Sequence, residues 1–174
     1  EVSHRSDYFE PILENAKQGL RELLNIPNNY QILFLQGGAS LQFAQIPMSF
    51  LTEETSADYI VNGAWSEKAV KEARKFGNVN VIFSSKESGY KSAPNQESLR
   101  FSPTAEFIHY CSNETIDGVE FKYDLEGGNV PFICDASSNI LSKPIDVSKY
   151  AMIYGGAQKN IGPAGLVIVI IRED

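Results

Sequence analysis

Basic residues are scarce in this sequence: 15 lysines and arginines stand against 22 aspartates and glutamates over 174 residues, a net charge of −7. An acidic surface attracts neither nucleic acid nor an anionic bilayer, so neither partner is expected. Long apolar runs are missing as well. None approaches the ~20 residues of a membrane-spanning helix, and the N-terminus lacks the layout of a secretory signal. Cysteine is nearly absent. Cys111 and Cys134 both fall in strand-like runs, which suits two reduced core thiols better than a disulfide and makes a cytoplasmic protein the expectation. An initiating methionine is lacking too. The chain opens on Glu1-Val2-Ser3-His4-Arg5 and stops at Asp174 directly after a strand-like run, so it reads as a segment of a longer polypeptide.

What is present is an ordinary globular composition, 43% hydrophobic and 21% charged, long enough for one domain with a real core. Apolar positions at Phe9, Ile12, Leu13, Ala16, Leu20, Leu23 and Leu24 predict a helix over 7–24, starting at Ser6-Asp7 and stopped by Pro27. Strands are predicted at 30–35, 57–62, 78–83, 106–111, 131–134, 151–154 and 166–171, with helices after the first two. A short hairpin or edge piece is expected at 118–121, and 84–104 reads as an aperiodic excursion. Strands alternating with helices argue for a three-layer α/β/α domain with a mostly parallel, mixed sheet. The last strand follows its predecessor too closely for a parallel crossover and is predicted to run antiparallel.

Chemistry gathers at the predicted carboxyl ends of these strands, where open α/β sheets bind ligands. The turn Gln36-Gly37-Gly38-Ala39-Ser40 leads into a helix and presents free backbone N–H groups suited to a phosphate. It is neither a dinucleotide fingerprint nor a P-loop. Trp65, the single tryptophan, falls at a turn, where its flat face suits a planar ring. Thr115 follows the fourth strand. Asp135 ends an apolar strand, a costly place for an unpaired carboxylate. Lys159 stands in the small-residue loop Tyr154-Gly-Gly-Ala-Gln-Lys-Asn-Ile-Gly-Pro-Ala-Gly165. Alone it is simply a loop lysine in water. Desolvated at a sheet's mouth, it would be an amine for Schiff-base chemistry. His109, inside an apolar run, reads as a packed histidine.

A phosphate cradle, a flat aromatic, a carboxylate and a lysine together fit pyridoxal phosphate. No metal ligands are assigned.

Ser3-His4-Arg5-Ser6, Phe34-Leu35-Gln36-Gly37-Gly38, Gly63-Ala64-Trp65-Ser66, Cys111-Ser112-Asn113-Glu114-Thr115, Asp135-Ala136-Ser137-Ser138, Leu141-Ser142-Lys143-Pro144-Ile145-Asp146 and Gly156-Ala157-Gln158-Lys159-Asn160 resemble the phosphoserine aminotransferase family over essentially the whole chain. The resemblance implies the large cofactor-binding domain (1–174) of a fold-type I, class V pyridoxal-phosphate enzyme. Such an enzyme moves the amino group of glutamate onto 3-phosphohydroxypyruvate, giving phosphoserine and 2-oxoglutarate in serine biosynthesis. Bacterial members also act on a four-carbon analogue in pyridoxine synthesis. The resemblance further implies that Lys159 carries the cofactor and shuttles a proton. Asp135 pairs with its ring nitrogen, Trp65 stacks on the ring, and Thr115 contacts its phenolic-oxygen side. Ala39, Ser40 and Gln158 meet its phosphate end. His4 and Arg5 bind substrate, in the neighbouring subunit's site of a homodimer. Some members carry an arginine where Ser40 stands. The family's N-terminal substrate segment and C-terminal small domain are not in these residues, so this chain alone is expected to be inactive.

Two other readings stand beside this one. A cysteine desulfurase or kynureninase shares the lysine loop, but desulfurases place histidines where Gln158 and Trp65 stand. A non-catalytic phosphate-binding α/β module would leave Lys159 a plain loop residue.

Overall fold

The computed structural model describes residues 2–174. In chain order the elements are α1 (Glu10–Leu24), β1 (Tyr30–Gln36), α2 (Gly38–Phe50), β2 (Ser56–Val61), α3 (Ala64–Ala73), β3 (Asn78–Ser84) and β4 (Ala105–Cys111). They continue with β5 (Asn113–Glu114), β6 (Val119–Glu120), β7 (Phe132–Asp135), β8 (Met152–Gly156) and β9 (Leu166–Arg172). Seven strands form one sheet in the order β1-β9-β8-β7-β4-β2-β3, and β5 and β6 form a separate antiparallel pair. Only β9 runs against its companions, pairing antiparallel with β8 on one side and β1 on the other. The mixed sheet and its reversed last strand are as the sequence predicts, as is the hairpin near 118–121.

The sheet's two faces are covered unequally. On one, Phe43 and Ile46 of α2 and Ala69, Val70 and Ala73 of α3 pack on Tyr59, Phe107, Tyr154, Val167 and Val169. On the other, Leu20 and Leu24 of α1 share a core with Ile32, Ile60, Ile108, Tyr110 and Ile168, completed by Leu99, Phe121, Leu125, Ile140, Val147 and Tyr150 from irregular segments. The strand–helix alternation stops after β3. The links into β4 and β8 hold only 3-10 turns, at Lys86–Ser88, Gln96–Ser98 and Val147–Lys149. Proline and glycine at Pro94, Pro103, Gly127, Gly128, Pro131 and Pro144 suit such connections and oppose helices.

Two elements differ from expectation for physical reasons. α1 starts at Glu10, not at Ser6-Asp7, with Pro11 in its first turn. A helix begun at Asp7 would need a fourth-residue N–H that Pro11 lacks and would drive its ring into the Asp7 carbonyl. Its burial is also narrower than the apolar spacing implies, since Ile12 and Leu23 are exposed. β1 is not buried along its length, although 30–35 reads in the sequence as a buried strand. It is a sheet edge in which Tyr30 and Ile32 are buried while Gln31 and Leu33 are exposed.

His109 is buried and neutral, as predicted for a packed ring. It stacks on Tyr59 with centroids 4.9 Å apart, and its Nε2 shares a 2.8 Å hydrogen bond with the Tyr154 hydroxyl. Burial pushes its pKa down to about 3. The unfolded chain therefore binds a proton that the folded chain refuses between about pH 6.5 and the folded value. Stability is expected to fall as pH drops through that window, by up to about 1.4 kcal/mol per unit. Chemical denaturation from pH 7 to 4 checks this, and His109→Gln should flatten the slope.

Candidate active site

The carboxyl ends of β1, β2, β4, β7 and β8 open onto one cleft of about 260 Å³. Gly37, Gly38, Ala39, Ser40, Trp65, Asp135, Gln158 and Lys159 all line it. Residues read from four distant stretches of sequence thus meet at one rim. Thr115 reaches it through Lys159, whose Nζ donates a hydrogen bond to the Thr115 hydroxyl. His4 and Arg5 are not brought in. They are exposed in the turn before α1, where Arg5 Nε donates to His4 Nε2 at 3.3 Å.

Lys159 lies in a compact loop between β8 and β9. Ile161 and Gly162 both donate backbone N–H groups to Ala157 O, at 3.0 and 2.8 Å, closing a helical turn around it. The side chain is exposed, so the loss of solvation considered for it is not present here. Its Nζ stands 5.4 Å from the centroid of the Trp65 ring. On the other side of the cleft α2 begins at two glycines with positive φ, 93° at Gly37 and 64° at Gly38. Both amides donate to Gly165 O, at 3.0 and 3.3 Å, which ties this turn to the end of the lysine loop. Among the described residues no side chain caps α2, leaving the positive end of its dipole open to the cleft.

Asp135 forms the floor. Its Oδ1 accepts from Ser137 N at 2.9 Å and Ser137 Oγ at 2.5 Å. Among the described residues its Oδ2 has only the Cys111 thiol, at 3.9 Å. Burial raises the carboxyl pKa, while the two Ser137 bonds and the Lys159 charge pull it down. Both cysteines are free and buried, as expected, and burial pushes both thiols up, Cys134 to about 12.

Two residues of the cleft, Ser137 and Asn113, were not foreseen, nor were the two carboxylates that cap α3 outside it. Ser137 orients Asp135 and also accepts from Gly156 N at 3.0 Å; the Asp-x-Ser spacing is a signal for such a turn. Asn113 lines the cleft. Glu114 and Asp117 cap α3 from a remote hairpin, which no local pattern could reveal. A β-carbon on Gly63 would overlap the buried Glu114 side chain. Gly63→Ala is therefore expected to cost about 3 kcal/mol through overpacking, measured by denaturant unfolding.

A mixed α/β sheet whose carboxyl edge gathers an amine, a buried carboxylate and an indole beside an open helix N-terminus has the architecture of an aminotransferase catalytic domain. The chain matches the family model described as aminotransferase class-V over residues 1–174 and belongs to that family. It is 56% identical over 174 residues to the phosphoserine aminotransferase of Pseudomonas entomophila (strain L48), covering all of this chain and 48% of that one. Among solved structures it is similar to the phosphoserine aminotransferase of Bacillus circulans subsp. alkalophilus, with a TM-score of 0.96 and 45% identity, covering 99% of this chain and 48% of that one. It is also similar to the pyridoxal-phosphate-bound enzyme of Trichomonas vaginalis, with a TM-score of 0.90 and 40% identity, covering 100% and 49%. The chain spans about half the length of the curated relatives it matches.

Proposed function

We propose that these residues are the large cofactor-binding domain of a pyridoxal-phosphate-dependent transaminase. The full-length protein passes the amino group of glutamate to 3-phosphohydroxypyruvate, yielding phosphoserine and 2-oxoglutarate, as a cytoplasmic homodimer. The observation that carries this reading is the convergence of Lys159, Asp135 and Trp65 on one cleft beside the uncapped start of α2. The relatives' names supply the substrate class.

The residues present fit the cofactor. Asp135 keeps one oxygen without a strong partner, suited to a protonated ring nitrogen. The indole N–H of Trp65 is buried and unpartnered among the described residues, a donor left for an incoming group. When bound, pyridoxal phosphate supplies an aldehyde for the amine and a ring that withdraws electrons. Ala39, Ser40 and Gln158, with the α2 dipole, would hold the phosphate. Trp65 would lie against the ring, and Thr115 would sit near its oxygen side, where it already restrains Lys159. Asp135 would keep the ring nitrogen charged. The Lys159 amine would move the proton at the substrate α-carbon. His4 and Arg5, which do not line this cleft, would serve the partner subunit's substrate phosphate or carboxylate.

The two cysteines of this chain are buried with raised pKa values, so neither offers the mobile thiolate a desulfurase needs. Full-length protein supplied with cofactor, glutamate and 3-phosphohydroxypyruvate should release 2-oxoglutarate and phosphoserine. Bound cofactor with no amino transfer from glutamate would overturn the assignment. The 174-residue chain alone is expected to turn over little, since it spans about half the length of the curated relatives it matches.

A further inference from the structure

The first turn of α3, which carries Trp65, is clamped by the β5–β6 hairpin. Glu114 is fully buried. Its Oε2 accepts from Trp65 N at 2.9 Å and its Oε1 from Ser66 N at 2.7 Å. Asp117 Oδ2 accepts from Ala64 N at 2.8 Å. Two carboxylates thus occupy the positive end of α3, while the corresponding end of α2 has no side-chain cap. Of the two helix starts beside the cleft, the chain fills one itself and leaves the other open. Among the described residues no cation pairs with Glu114 within salt-bridge distance. A carboxylate buried in this way is unfavourable unless hydrogen-bonded, and here backbone amides and the helix dipole hold it. The absence of a side chain at Gly63 is what lets it approach.

The same hairpin reaches the amine. Thr115, the next residue, accepts from Lys159 Nζ. Asn113, the preceding one, lines the cleft and accepts from Ser138 Oγ through its carbonyl at 2.8 Å.

We infer that Glu114 is a positioning residue: by clamping the Trp65 and Ser66 amides it fixes the plane of the indole, and through its hairpin it couples that plane to Lys159. This deepens the pyridoxal-phosphate reading and rests on it.

The test uses full-length protein. Glu114→Gln keeps the size of the side chain but leaves one oxygen to accept where two did. It should fold but unfold at a lower temperature than the parent, since an amide NH2 then faces a buried backbone N–H, and it should lower the visible circular dichroism of bound cofactor by about half. The kcat with glutamate should fall about tenfold while KM stays within about twofold, since misplacement costs turnover first. Glu114→Asp, one methylene shorter, should restore part of both signals, and it carries the test if the glutamine variant does not fold. Asp117→Ala removes a cap from the same helix start without touching the Trp65 amide. It should lose stability while keeping the parent's dichroism and kcat. Parent-like dichroism and kcat in both Glu114 variants would overturn the inference, and so would an equal loss in Asp117→Ala. Labelling with 5-fluorotryptophan gives a cofactor-free readout. The Trp65 resonance, identified by its loss in Trp65→Phe, should shift in Glu114→Gln, and an unshifted line would sink the idea. A parent that binds no cofactor refutes the functional reading, while the fluorine line still decides the role of Glu114.

Discussion

Full-length protein carrying Lys159→Ala is expected to lose about 10⁴-fold or more in kcat, the upper range for a positioned proton-transfer group. The reason lies in what surrounds the amine. Among the described residues its one hydrogen-bond partner is the Thr115 hydroxyl, a poor base near neutral pH. Asp135 is buried and already engaged by Ser137. Gln158 lines the same cleft but has no basic group. No described neighbour can take over the proton, so the loss should not be rescued by raising pH. Borohydride reduction of the parent should attach the cofactor permanently to the peptide containing residue 159. The variant should lose its cofactor on denaturation. Retention of more than about a tenth of parental turnover would remove Lys159 from the mechanism.

Asp135→Asn should lower kcat about 10²-fold or more and, in the cofactor-free protein, raise stability at neutral pH. Burial is the largest influence on this carboxyl and raises its pKa, the two Ser137 donors and Lys159 countering it. Between the unfolded value of about 3.9 and the raised folded value, the native state holds more protons than the unfolded one. Stability therefore declines as pH rises through that window, so an ionised Asp135 is a destabilising feature at pH 7. The amide keeps the shape, still accepts from Ser137 and removes the charge. Loss of activity with gain of stability is the pattern of a group kept for function. Thermal unfolding of both proteins without cofactor, together with steady-state rates, measures both halves. A less stable asparagine variant would contradict this account.

The residues most easily read from the sequence were those whose identity clashes with their local setting. A carboxylate closing an apolar strand and a lysine in a loop of glycine and alanine each demand an explanation that neighbours in sequence do not give. Both stand at the cleft. The sheet was legible for a related reason: strands buried on both faces, such as parallel Phe107–Cys111 and antiparallel Val167–Ile170, are nearly continuous apolar runs. Harder to see was whatever depends on a partner far along the chain. Glu114 reads as one polar residue after a strand, and only folding places it under an amide 49 positions earlier. β1 has the composition of a core strand, whereas its exposure follows from its position at the sheet edge. Pro11 marks the start of α1, but the apolar spacing extends past it to Phe9 and hides that boundary.

The Gly165 carbonyl, which receives the amides of Gly37 and Gly38, has a consequence for how the domain breathes. It bolts the turn at the head of α2 to the loop bearing the amine, and β1 and β9 extend that bolt through an unbroken register from Gln36–Leu166 to Tyr30–Arg172. Local opening therefore cannot free one end of the cleft alone. In hydrogen exchange the two segments should behave as a single cooperative unit, so that a ligand gripping either one slows exchange in both.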